Sequence, residues 1–136
     1  MVYVYDVETL ANCFTAVFVN GKDEREFVLH RSRDDREEMF KFLDGVTGLV
    51  GYNNTEFDAP VINHLYTLKY EEDPHKAAKK IYKFAQKIIN EDYEDMFERK
   101  YVLEYKIPQL DLMKIWHFNN KAKQMSLKYL QINMGW

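Results

Sequence analysis

Alternation dominates the first thirty residues. In "VYVYDVETL", Val2, Val4, Asp6 and Glu8 share one parity and Tyr3, Tyr5, Val7 and Thr9 the other. The run is rich in β-branched and aromatic residues, the composition of a strand buried in a core. "CFTAVFVNG" and "EREFVLHR" read as two more strands, with Asn20-Gly21 as a hairpin turn, and an antiparallel meander is the simplest arrangement of the three. The period then changes. Ser32 followed by Asp35 resembles a capping box, and Met39, Phe40 and Leu43 recur at helical spacing until Gly45. "GLVGYN" is a short apolar run expected to return beside the first strand as a parallel neighbour, with the helix as its crossover. From Phe57, the positions Val61, Leu65 and Leu68 lie on one helical face.

Beyond this β-β-β-α-β-α pattern, "DPHKAAKKIYKFAQKIINE" opens with Asp73 as N-cap and Pro74 at the first helical position. Ala77, Ile81, Phe84, Ala85 and Ile88 form its apolar face, opposite Lys76, Lys79, Lys80, Lys83 and Lys87. "EDYEDMFERK" reads as a helical turn or a loop, "IPQLDL" as a fifth strand, "LMKIWHF" as a helix, and Ser126 as the cap of a last helix ended by Gly135. The expected fold class is therefore α/β, a mixed sheet of three antiparallel strands plus parallel strands, flanked by helices.

Composition narrows the options. A chain of 136 residues with 46% hydrophobic content is one domain with an ordinary core. A net charge of −3 is no global attraction for nucleic acid, so any polyanion must be held by a local patch or by bound metal. The single cysteine, Cys13, excludes a disulfide framework and a thiolate metal cluster. No apolar run approaches the ~18 residues of a membrane span, and Asp6 comes too early for a signal peptide. A soluble, cytoplasmic protein is expected.

Asp6 and Glu8 sit side by side on one strand face, where like charges repel and burial of an unpaired carboxylate is costly. Something positive should lie between them. Asp58, at the start of a helix and just after the strand expected to neighbour the first, offers a third carboxylate. Oxygen donors without thiolates suit a hard cation, Mg²⁺ or Mn²⁺. Two such ions about 4 Å apart can activate water and stabilise the leaving oxygen in phosphodiester cleavage.

At these residues the chain resembles the DEDD, or DnaQ-like, 3′-to-5′ exonucleases of the ribonuclease H-like fold. "DVE" at Asp6, Val7 and Glu8 matches their D-x-E motif, and Asn53, Phe57 and Asp58 match N-x-x-x-F-D. "LDLMKIWHF" followed by "SLKYL" is similar to the stretch before the last motif of polymerase proofreading domains. The resemblance implies that Asp6, Glu8 and Asp58 are catalytic metal ligands for two Mg²⁺ or Mn²⁺ ions. It also implies that Thr9 and Leu10 line the pocket for the 3′-terminal nucleotide, and that Asn53 and Phe57 hold the terminal sugar and the penultimate nucleotide. The implied activity is removal of nucleoside monophosphates from the 3′ end of single-stranded DNA, beside or attached to a DNA polymerase. The family's third motif, Y-x-x-x-D or H-x-x-x-x-D, is not found. Tyr101 reaches Tyr105, His117 reaches Ala122, Tyr129 reaches Asn133, and nothing acidic follows Asp111. The expectation is a single domain over 1–136, either cut short at its C-terminus or lacking the end of its site, with 66–106 as a helical insertion.

Two other functions remain open: a non-catalytic nucleic-acid-binding or interaction module on the same fold, and a ribonuclease H or resolvase-like endonuclease, against which the N-x-x-x-F-D match speaks. Asp111 reads as a helix cap or a group near the site, His64 as a packed or surface residue, His117 as a packed residue that is also the general-base candidate in the absence of the usual one, and the lysine face of 76–87 as solvated.

Overall fold

A computed structural model describes residues 1–90 and 107–113. Its strands are β1 (Val2–Leu10), β2 (Cys13–Asn20), β3 (Asp23–His30), β4 (Arg33–Asp34), β5 (Gly48–Gly51) and β6 (Gln109–Asp111). The helices are α1 (Arg36–Leu43), α2 (Asp58–Thr67) and α3 (Pro74–Asn90). The strands form one mixed sheet in the order β4-β3-β2-β1-β5-β6. β1, β2 and β3 make the expected meander, with Asp6 opposite Val17 and Phe14 opposite Leu29. β5 lies parallel to β1, Val4 beside Val50, and β6 lies parallel to β5, Gly51 beside Asp111. Residues 91–106 and 114–136, including the expected helices at "LMKIWHF" and after Ser126, and His117, fall outside the description apart from Leu112 and Met113.

Local chemistry shifts two boundaries. The β2–β3 turn is Gly21–Lys22 rather than Asn20-Gly21, because Asn20 pairs with Asp23 and Gly21 takes φ 53° at the first central position, where glycine bears no Cβ penalty. The capping box does not form. Arg33–Asp34 instead adds a short edge strand to β3, and Asp35 spends its carboxylate on the Val28 amide (2.9 Å) and on Arg33 (2.7 Å). Competition from a strand edge with an unpaired N–H explains the difference.

The core lies on the face of Tyr3, Tyr5, Val7, Phe14, Ala16, Phe18, Phe27 and Leu29. All three helices contribute to it, α1 through Met39 and Leu43, α2 through Val61, Ile62 and Leu65, α3 through Ala77, Ala78, Ile81, Ala85 and Ile88. α3 starts as its sequence predicts, with the Asp73 carboxylate accepting the His75 amide at 2.9 Å. Although it lies within the segment expected as an insertion, its apolar face packs on β1, β2 and β3 and belongs to the main core. The small Ala77, Ala78 and Ala85 let its backbone come close to the sheet. Arg36, buried at the head of α1, is held by both oxygens of Asp34 (2.9 and 2.8 Å) and donates to the Leu68 carbonyl (2.7 Å), tying α1 to the end of α2. Among the described residues no helix is long and apolar enough to cross a membrane.

Candidate active site at the ends of the parallel strands

The carboxyl ends of β1, β5 and β6 point the same way, and in open α/β sheets that edge is where ligands bind. Each strand brings an acid there, directly or through the segment that follows it. β1 carries Asp6 and Glu8; β5 leads into the 52–57 turn and Asp58; β6 ends at Asp111.

Asp6 and Glu8 share a strand face as expected, but that face is the exposed one. The sequence favoured burial because both parities of β1 are apolar, and it is the aromatic set, Tyr3 and Tyr5, that enters the core. The two acids therefore keep their hydration, and the acid that bears the burial is Asp58.

Asp58 is 6% exposed. It is the first residue of α2, not its cap: Phe57 holds that position, and Asp58 Oδ2 reaches across to accept the Val7 amide of β1 at 2.9 Å. That bond ties the helix start to the strand between Asp6 and Glu8. Burial pushes the Asp58 carboxyl up to about 7; the Val7 amide opposes this, and the charges of Asp6 and Asp111 add to it. Two carboxylates thus act on Asp58, and of the three Asp58 and Asp111 are buried.

Asp111 is more than a cap. Its Oδ1 accepts the amides of Asn53 (2.8 Å) and Met113 (3.0 Å), and its Oδ2 accepts the Thr55 amide (3.2 Å) and hydroxyl (2.7 Å). One buried carboxylate therefore organises the whole turn that delivers Asp58. Asn53 stands in that turn at φ 58°, a left-handed conformation that asparagine tolerates better than most residues, and its carbonyl accepts the amides of Glu56 and Phe57. Its motif position thus has a backbone role beside any contact with substrate. Asn54, fully buried, donates to Gln109 Oε1 at 2.8 Å, the same oxygen that accepts the Tyr5 hydroxyl at 2.8 Å. Gly51 makes room for it: a Cβ there would meet Asn54 Cβ at 2.8 Å. None of Gly51, Asn54 or Gln109 stands out in sequence, where "GLVGYN" reads only as a short apolar strand.

Of the remaining expected site residues, Thr9 is half-buried and Leu10 is 60% exposed beyond Glu8. Phe57 is half-buried and packs against the core. His64 stacks flat on Phe84, ring centroids 4.0 Å apart, with its pKa lowered by burial, so it packs as its apolar neighbours suggested.

The donors at this edge are carboxylate oxygens, the type a hard divalent cation takes. A cation would relieve the repulsion that Asp58 experiences from Asp6. As the side chains stand, no three His, Cys, Asp or Glu residues among the described ones converge in an arrangement that could hold a metal ion, so side chains at this edge would have to shift to bind one. Set against models of protein families, curated proteins and solved structures, the chain matches none.

Proposed function

We propose that the chain is a metal-dependent 3′-to-5′ exonuclease domain of the DnaQ-like type on a ribonuclease H-like sheet, acting on single-stranded DNA or a DNA 3′ end. The observation that carries this reading is Asp58, a buried carboxylate bonded to the strand between Asp6 and Glu8, its pKa raised by burial with the charge of Asp6 adding to the rise. A protein gains nothing in stability from such a group, and perturbed acids of this kind concentrate at catalytic sites.

Asp6 and Asp58 would hold divalent ions, with Glu8 on the same strand face as Asp6. Bound there, Mg²⁺ or Mn²⁺ supplies charge neutralisation and lowers the pKa of water. The chain's own contribution is to fix the acids: the Val7 amide orients Asp58, and Asp111 fixes the turn before it. Leu10, exposed at the end of β1, and Phe57, half-buried, would offer apolar surfaces for terminal bases, and Thr9 and Asn53 polar groups for the terminal nucleotide.

The lack of a convergent three-acid group among the described residues favours a second reading, a nucleic-acid-binding module that keeps the same architecture without cleavage. Cleavage of a 5′-labelled single-stranded DNA in Mg²⁺ or Mn²⁺ separates the two. A ladder shortening from the 3′ end, lost with EDTA and in Asp6→Ala and Asp58→Asn, is the expected result. No cleavage by the folded wild type would leave the binding module.

A further inference from the structure

Past Glu8 and Leu10, the β1–β2 turn at Asn12 and Cys13 meets the end of β3 at His30 and Arg31, since Leu10 pairs with Cys13 and Phe14 with Leu29. His75, in the first turn of α3, completes the wall. These five residues line an open cleft of about 400 Å³. It opens at the same end of β1 as Asp6 and Glu8.

The cleft presents donors and no carboxylate. His30 Nδ1 accepts the Ser32 amide at 3.0 Å, so the neutral ring must carry its proton on Nε2. His75 Nδ1 is out of contact with solvent and has no hydrogen-bond partner. A buried bare lone pair costs less than a buried orphan N–H, so this ring too keeps its proton on Nε2. Arg31 is exposed and takes part in none of the ion pairs among the described residues, which use Arg25, Arg33, Arg36 and Lys80. Its guanidinium has five N–H donors and no acceptor. Asn12 adds an exposed amide. The acid nearest in the chain, Asp73, has its Oδ1 engaged by the His75 amide.

We propose that this cleft is a phosphate subsite that holds the backbone of a nucleic-acid strand whose end lies at Asp6, Glu8 and Asp58; the strand assignment rests on the function proposed above. A planar fork flanked by two imidazole N–H donors suits a tetrahedral phosphate oxyanion. A chain of net charge −3 needs such a local patch to hold a polyanion. Leu10, 60% exposed between the cleft and Glu8, gives the strand an apolar surface to cross.

The test is made on the full chain in EDTA, so that neither metal nor cleavage enters. The histidine ring signals are followed by NMR during titration with oligothymidylate and, separately, with inorganic phosphate. Oligothymidylate should shift His30 and His75 and leave His64 unmoved. Arg31→Gln should weaken oligothymidylate binding about tenfold and flatten its logarithmic salt dependence by about 0.7, the loss of one phosphate contact on a single strand; Arg31→Lys should restore part of both. Unmoved His30 and His75 signals, or an unchanged salt slope in Arg31→Gln, would overturn the proposal. Shifts with inorganic phosphate alone would overturn the strand assignment and leave a free-anion site. Strand binding at the cleft without any cleavage in Mg²⁺ would sink the exonuclease reading and not this one.

Discussion

At the scale of single residues, Asp58 carries the largest energetic burden. Its folded pKa of about 7 lies above the ordinary 3.8, so between those values the folded chain binds more protons than the unfolded one. Stability from this group is therefore intact near pH 4 and falls as pH rises toward 7, by at most about 4 kcal/mol for an interval of that size. Asp58→Asn keeps an acceptor for the Val7 amide and removes the charge. It should raise the urea midpoint at pH 8 by the equivalent of about 1–4 kcal/mol and leave it unchanged at pH 4. An equal effect at both pH values would show that the charge is not what burial penalises. Sequence placed Asp58 beside the first strand, yet it put the burial on Asp6 and Glu8. Parity showed which side chains of β1 share a face but not which face is the core, because valines and tyrosines compete for it and the tyrosine phenols can reach polar partners such as Asp23 (2.6 Å) and Gln109 (2.8 Å).

At the scale of elements, the turn between β5 and α2 is held by contacts distant in sequence. Asp111 binds residues 53 and 55, and Gln109 binds Asn54, across a separation of more than fifty residues that no local pattern records. This is why the strands and helices, which follow from local periodicity, were legible and the scaffold of the site was not. Gly51→Ala tests that scaffold. A Cβ at 2.8 Å from Asn54 Cβ must push Asn54 off Gln109, at a cost of about 1–3 kcal/mol typical of overpacking. The variant should also lose cleavage or strand binding out of proportion to its stability, measured at a temperature where it remains folded. Helix α3 tests the other boundary drawn from sequence. Ile81 is fully buried against the sheet, so Ile81→Ala should cost about 2–5 kcal/mol in denaturant unfolding, as for a core side chain. A loss below 1 kcal/mol would mean that α3 decorates the domain rather than completing its core. The amphipathic pattern of 74–90 was plain, but the surface it covers is set by β1–β3, and periodicity alone cannot name a partner.

At the scale of the whole molecule, three parallel strand ends gather acids that the rest of the fold does not need. The core is closed on one face by α1, α2 and α3, and Arg36 with Asp34 fastens α1 at the β4 edge of the sheet. Nothing in that packing requires a carboxylate at Asp6, Glu8 or Asp58, and the fold is weakened by burying the last. A divalent cation that binds the folded chain and not the unfolded one stabilises it by mass action, about 2.7 kcal/mol at a hundred times its dissociation constant. Thermal unfolding at pH 8 should therefore shift upward by several degrees on adding millimolar Mn²⁺ or Mg²⁺. The shift should vanish in Asp58→Asn, whose own midpoint without metal is the higher of the two, so wild type and variant converge as the cation is added. Calcium, also a hard oxygen-binding cation but larger, should stabilise without supporting cleavage. If the midpoints of wild type and Asp58→Asn stay separated by the same interval at every cation concentration, the acids at this edge bind no metal, and the reading that remains is a strand-binding module whose anion contacts lie at Arg31, His30 and His75.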